Sequence, residues 1–282
     1  MFVTRNSGEQ SSMPQNPTTF PIMHVLFCGL VAFFIFLTPP AWAETLTDRI
    51  SNYPNWHTQP DIQSRFEEIS YPNWIAGTWH CKSTLIEMIA PVKDLTTPGF
   101  EGNRKYLDQP VTFDVKFGPS TIKPIITFGF PASNLTQTPQ EKVVVDRIFN
   151  GLSIANAYLG EGVITTVKIN PKSPQEQLTT LKSGLQLLSI TTGHNSDRPN
   201  PDEFLTTELS QQIFRGSETP YLNQVETTTK YQHQISNHSN DSSPIIADQY
   251  TAIYLSPKDP DYFTARNTPV ALYRYRLELA PV

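Results

Sequence analysis

Cysteine is nearly absent from this chain: two residues in 282, Cys28 and Cys81. Two thiols cannot build a disulfide framework, so the fold must hold by burying apolar surface. Charge is also sparse. Charged residues make up 17% of the chain, and acidic side chains outnumber basic ones 26 to 21, for a formal charge of −5. A non-specific grip on nucleic acid needs a basic field, and its absence excludes that partner. The thirteen glycines do not cluster, so neither a Walker loop nor the G-x-G-x-x-G of dinucleotide-binding folds is present. No apolar run reaches the ~20 residues that a membrane-spanning helix needs, which excludes a polytopic membrane protein.

Proline and uncharged polar side chains are in excess. The 25 prolines amount to about 9% of the chain against a usual ~5%. An interior proline removes a hydrogen bond and clashes with the preceding turn, so long helices and coiled coils are disfavoured. The N-terminal region carries its own signal. Residues 25–37 are thirteen uncharged, apolar positions, followed by Pro39-Pro40 and Ala41-Trp42-Ala43. An apolar run of this length ending in an A-x-A site reads as a secretory signal peptide over residues 1–43. An uncleaved single anchor is the rival reading. Arg5 is the one firm positive charge before the run, which makes Met13 and Met23 candidate starts, and Cys28 lacks a lipidation context. Cleavage after Ala43 leaves a chain of roughly 240 residues, a size at which burial alone can stabilise a fold.

Residues 44–70 are the most helix-like part. Leu46, Ile50 and Tyr53 follow helical spacing, and Asp61 to Ile69 predicts two more turns. Tyr53-Pro54-Asn55-Trp56 returns once as Tyr71-Pro72-Asn73-Trp74. One echo is no solenoid; it predicts two turns that each seat a tryptophan, as a lid or plug ahead of the main fold. From Gly77 onward the pattern becomes alternation, or short apolar runs between breakers. Nine such runs begin at Thr78, Val111, Lys142, Val163, Leu185, Leu209, Tyr221, Ile245 and Val270. Asn150 to Leu159 predicts the one interrupting helix. Thr191 to Thr207 and Ser236 to Ser243 read as polar connectors with exposed tips. No interior linker divides residues 71–282, so they predict one all-β domain: an antiparallel, lipocalin-like β-barrel of 8–10 strands behind an N-terminal helical segment. Closure is the expected answer to exposed sheet edges, and a barrel of this size is either filled or holds one small ligand.

Gly77-Thr78-Trp79, where the first run opens, resembles the G-x-W signature of lipocalin-like (calycin) barrels. The resemblance implies that Trp79 sits at the closed base and that a late arginine, Arg274 or Arg276, packs across its face. Four longer segments (71–79, 224–231, 248–255 and 272–277) together look like a family of uncharacterised cyanobacterial and chloroplast thylakoid-lumen proteins, over most of residues 65–282. That resemblance implies a location, the thylakoid lumen or periplasm, and carries no residue-level function.

Six residues are candidates to face a small molecule: Trp74, Trp79, Tyr231, Tyr250, Arg274 and Arg276. Strand alternation puts Tyr273, Tyr275, Leu277 and Leu279 on one face and Leu272, Arg274, Arg276 and Glu278 on the other. The arginines therefore reach a ligand only if the cavity is polar. Along 221–235, Tyr221, Val225, Thr227, Thr229, Tyr231 and His233 form the candidate inward face, and Glu226 and Lys230 read as a solvated pair. Catalytic signals are weak. Gly151-Leu152-Ser153-Ile154-Ala155 approaches a nucleophile elbow but lacks its second glycine. His80 neighbours Cys81 in sequence, yet a strand points them to opposite faces, and Cys81 reads as a small buried hydrophobe. No histidine pair has zinc-helix spacing; His233 and His238 are a weak pair. No metal or cofactor is expected.

Three functions remain open. The first is an exported barrel binding an apolar or amphipathic small molecule such as a pigment, quinone or lipid. The second is a non-enzymatic assembly or interaction factor whose partner is a photosynthetic-complex subunit. The third is an isomerase or de-epoxidase acting on a bound lipid or pigment, with Asp114, Asp146, Glu226 and Tyr250 as available groups. Bilin lyases share the fold analogy, but export argues against cytosolic pigment attachment.

Overall fold

A computed structural model describes residues 44–62, 64, 67–120, 142–234 and 244–282. The apolar run 25–37, its A-x-A site, His238 and the 236–243 connector lie outside the described residues. Among the described residues, no helix is long and apolar enough to cross a membrane.

Alternation over Gly77–Ile89, Pro110–Pro119 and Val143–Val145 becomes strands β1, β2 and β3. Ile164–Asn170, Ser173–Leu181, Gln186–Asp197 and Glu203–Arg215 are β4 to β7, and Tyr221–His233, Ile245–Leu255 and Ala271–Pro281 are β8 to β10. All ten join one sheet in the order β3-β2-β1-β10-β9-β8-β7-β6-β5-β4, with every neighbour antiparallel. The sheet curls into a half-barrel, so the all-β antiparallel reading and its strand count hold. Among the described residues four α-helices accompany it: α1 (Leu46–Ser51), α2 (Phe100–Asn103), α3 (Arg147–Leu159) and α4 (Tyr262–Ala265).

Three elements differ from the sequence reading. Ser173–Leu181 is a tenth strand although it barely alternates, because β4 and β6 pair both its edges. The expected connector 191–207 is mostly ladder: β6 runs to Asp197 and β7 starts at Glu203, leaving only 198–202 as a turn. Its polarity reflects buried polar surface on both faces of the sheet, since Thr206 and Thr207 are both buried. The described residues between 61 and 69 form no helix.

The two ends of the sheet, β3 and β4, do not pair with each other, and α3 leads from one to the other, packing against β2 and β4. Asp146 stops the run 142–148 as a strand by capping α3, its carboxylate accepting from the Phe149 N–H at 3.0 Å. Strand β3 covers only Phe117 to Pro119 of β2. Beyond it, side chains of α3 take over the edge. The Lys116 N–H donates to Asn150 Oδ1 at 2.7 Å and the Asp114 N–H to Ser153 Oγ at 3.1 Å. A helix thus satisfies edge donors that a closing strand would otherwise have to meet. The helix comes close at Gly151, where a Cβ would lie 2.8 Å from Gln177 Nε2 and 3.5 Å from Val167 Cγ1.

Both faces of the sheet are covered. On the inner face Trp79, Cys81, Val115, Phe117, Leu277 and Leu279 form the main core with Ile69, Tyr71 and Ile75. The outer face receives the N-terminal strap. Helix α1 starts with a capping box, Thr45 and Asp48 exchanging bonds. It delivers Arg49 onto Glu226 of β8, Nε to Oε1 at 3.0 Å and Nη2 to Oε2 at 2.7 Å. Trp56 lies under the guanidinium, 4.1 Å from ring centroid to Arg49 Cζ, and donates to the Arg49 carbonyl. Glu226 is therefore fully buried, not half of a solvated pair, and Lys230 bonds Glu203 instead. The strap caps the outside of the sheet rather than plugging its interior.

Candidate functional site

Between the inner face of the sheet and α3 lies a cavity of about 450 Å³. Its two sides differ because the strands that build them differ. Strands β1, β2 and β10 present apolar residues, among them Phe113, Val115, Phe117, Leu277 and Leu279. Strands β7, β8 and β9 present Thr206, Thr227, Thr229, Thr251, Gln212 and Gln249. Threonine suits a strand because it is β-branched, and it still offers a hydroxyl. The inward face expected for 221–235 is seen: Val225, Thr227, Thr229 and Tyr231 all line the cavity.

At one end the sheet gathers polar groups from distant segments. Tyr71 enters through its N–H bond to the Val143 carbonyl at 2.8 Å. Its ring packs on Phe117 and Phe204, with centroids 5.0 and 5.3 Å away, and edge-on against Tyr231 at 6.1 Å. Glu208 on β7 lines the cavity beside them. Arg147, the first residue of α3, holds it from behind, Nη2 to Oε1 at 2.6 Å, and donates through Nη1 to Thr191 Oγ1 at 3.1 Å. Burial, and then nearby charge including the Glu208 carboxylate, pushes both phenols above their ordinary value. They are therefore protonated donors at neutral pH. Glu208 raises the Arg147 guanidinium further against the opposing effect of burial.

Cys81 lines the same cavity, and burial pushes its thiol up to about 12, so it carries no thiolate for nucleophilic attack at neutral pH. His80 is exposed on the opposite face, 2.9 Å from Asp114 Oδ1. Ser153, at the weak elbow motif, sits in α3 and serves the β2 edge. No group of three His, Cys, Asp or Glu that could hold a metal is present among the described residues.

Of the six sequence candidates, Tyr231 lines the cavity. Trp79 is 3% exposed in the core beneath it and donates to the Ile75 carbonyl at 2.8 Å. Trp74 stacks on His233, centroids 5.2 Å apart and planes at 6°, and donates to the Pro201 carbonyl. Tyr250, Arg274 and Arg276 are on the outer face. Arg274 and Arg276 both bond Asp248, at 3.3 and 2.9 Å, and the Arg274 guanidinium carbon is 5.4 Å from the Tyr250 ring centroid. Trp79 pairs with Pro281, whereas Arg276 pairs with Thr84. Five residues of strand, on the order of 15 Å, therefore separate Trp79 from the nearer arginine, and the expected arginine–tryptophan stack does not form. Sequence reasoning missed Tyr71, Arg147 and Glu208. Tyr71 was visible only as the start of an echo, and Glu208 only as one acidic residue between the expected connector 191–207 and the run that begins at Leu209. The acid–base groups weighed for an enzyme lie elsewhere: Asp146 caps α3, Asp114 meets His80, and Glu226 and Tyr250 are outside.

No curated protein and no solved structure matches this chain. A family model does match residues 66–282, the whole sheet with α3, and the chain belongs to that family, described as a domain of unknown function, DUF6816.

Proposed function

We propose that the protein binds one apolar or amphipathic small molecule, such as a pigment, quinone or lipid, inside its half-barrel after export to the thylakoid lumen or periplasm. The observation that carries this is the cavity itself. Its volume of about 450 Å³ falls within the roughly 300–1,000 Å³ of small-molecule sites, which combine apolar walls with a few placed polar groups. The apolar side buries a hydrocarbon body, and the threonine and glutamine side meets carbonyl or hydroxyl groups along one edge.

The test is binding of N-phenyl-1-naphthylamine, a neutral dye that fluoresces in apolar sites. The purified protein should bind it at micromolar concentration, and Gln249→Trp, which fills the cavity from β9, should weaken binding at least tenfold. No binding, or binding indifferent to Gln249→Trp in a folded variant, overturns the reading.

A second reading, an interaction factor for a photosynthetic complex, is favoured by the outer side of α3, where Ile148, Leu152 and Leu159 are exposed. Ile148→Asp with Leu152→Asp separates the two: it should leave dye binding unchanged, and only the second reading has it abolish binding to isolated photosynthetic complexes.

A further inference from the structure

We propose that the cavity selects a ligand carrying a neutral hydroxyl head, seated between the phenols of Tyr71 and Tyr231 and the carboxylate of Glu208, and that it discriminates against carboxylic acids of the same body. This deepens the binding reading above and rests on it. The argument starts from the sign of the charge that faces the cavity. Glu208 lines it, and among the described residues no lysine, arginine or histidine does. Arg147, the partner of Glu208, lines instead a narrow void behind it with Thr191 and His194. The ion pair is thus oriented, with its guanidinium directed into the wall and its carboxylate beside the ligand space. Arg147 bonds Oε1 at 2.6 Å; among the described residues no other hydrogen bond ties the Glu208 carboxylate, and its side chain is 30% exposed. Oε2 is open to a donor.

The two phenols complete the set. Tyr71 and Tyr231 line the same end with their rings edge-on. The two phenols hydrogen-bond each other, which leaves one phenol proton to donate. A hydroxyl is the simplest head that matches one donor and one acceptor at once, because it gives one proton to Glu208 and accepts from that phenol. A ligand carboxylate could accept from the same phenol, but it would meet the fixed charge of Glu208 in a site partly shielded from water, and like charges there repel strongly. A hydrocarbon would leave Glu208 Oε2 without a donor.

The experiment displaces N-phenyl-1-naphthylamine from the purified protein with three ligands of one body: farnesol, farnesoic acid and farnesene. Farnesol should bind about tenfold tighter or more than either of the others, the usual scale of one hydrogen bond to a charged group. Glu208→Gln should shrink the alcohol-over-acid ratio at least tenfold, while Tyr231→Phe should weaken farnesol several-fold and leave farnesene unchanged. The wild-type ratio needs no variant and stands even if one fails to fold. Equal binding of the three ligands, or tighter binding of the acid, overturns the head-group assignment and leaves the pocket reading intact. Dye that never binds overturns the pocket, and this assignment with it.

Discussion

Strands β7 and β8 each supply the glutamate of an arginine–glutamate pair, one on each face of the sheet, and the two pairs are opposite in kind. On the outer face Arg49 and Glu226 are 4% and 0% exposed. Both Glu226 oxygens are engaged: Arg49 Nε and Thr228 Oγ1 meet Oε1, each at 3.0 Å, while Arg49 Nη2 and the Tyr254 hydroxyl meet Oε2 at 2.7 and 2.8 Å. On the inner face Arg147 and Glu208 are 21% and 30% exposed, share one bond, and border a cavity. The first pair is saturated and joins the N-terminal strap to the sheet; the second has bonding capacity to spare. A buried ion pair with every oxygen occupied can only be structural, whereas a half-satisfied one beside a cavity can meet a ligand.

The largest break in this contrast should come from Arg49→Met. It leaves Glu226 buried and unpaired, which costs about 3–5 kcal/mol, measured by urea unfolding. A loss below about 1 kcal/mol would mean that water reaches Glu226 and that the two pairs are alike. Next comes alkaline pH. Cys81 is raised from 9.0 to about 12, and burial followed by the Glu226 charge raises Tyr254 as well. The folded protein thus holds these protons over a range where the unfolded chain has released them. Their contribution is complete below about pH 9 and falls as pH rises through the folded values, at up to about 1.4 kcal/mol per pH unit for each group. Cys81→Ala should flatten the stability–pH curve between pH 9 and 11; an unchanged slope would remove the thiol from the account. Arg147→Met should cost only about 1–2 kcal/mol, because Glu208 keeps access to the cavity, and a loss equal to that of Arg49→Met would erase the comparison. Smallest is His80→Ala at the exposed pair with Asp114, expected within about 0.5 kcal/mol of the parent.

The echoed tetrapeptide makes a related point. Tyr53 and Trp56 pack on Tyr250 at the outer face, with ring centroids 4.9 and 6.3 Å away. Tyr71, from the second copy, packs on Phe117 and Phe204 at the inner face. Identical short sequences seat their rings on opposite sides of one sheet, so the echo announces aromatic docking without saying where.

Much of the sheet was legible in residue order. Alternation in 111–117 and in 221–235 identified both strands and the inward side of the second, because a strand turns successive side chains to opposite faces. Cys81 was readable as a buried hydrophobe for the same reason. Polar strands were harder. Ser173–Leu181 and the ends of β6 and β7 lack an apolar face, and only their neighbours' ladders make them strands. Glu226 looked solvated because an acidic residue in an alternating strand usually is; its partner stands 177 residues away. Tyr250, Arg274 and Arg276 looked like ligand contacts until the register placed them outside with Asp248.

Residue order by itself determined an antiparallel β protein built on burial rather than disulfides, since composition and period two are local properties that each strand carries alone. Tertiary structure alone decided that a helix joins the sheet's ends, that one Arg–Glu pair is sealed under a strap, and that another borders a cavity with two phenols. Those outcomes depend on which distant side chains meet, and the energy of a charge is set by the partners and the water around it rather than by its neighbours in the chain.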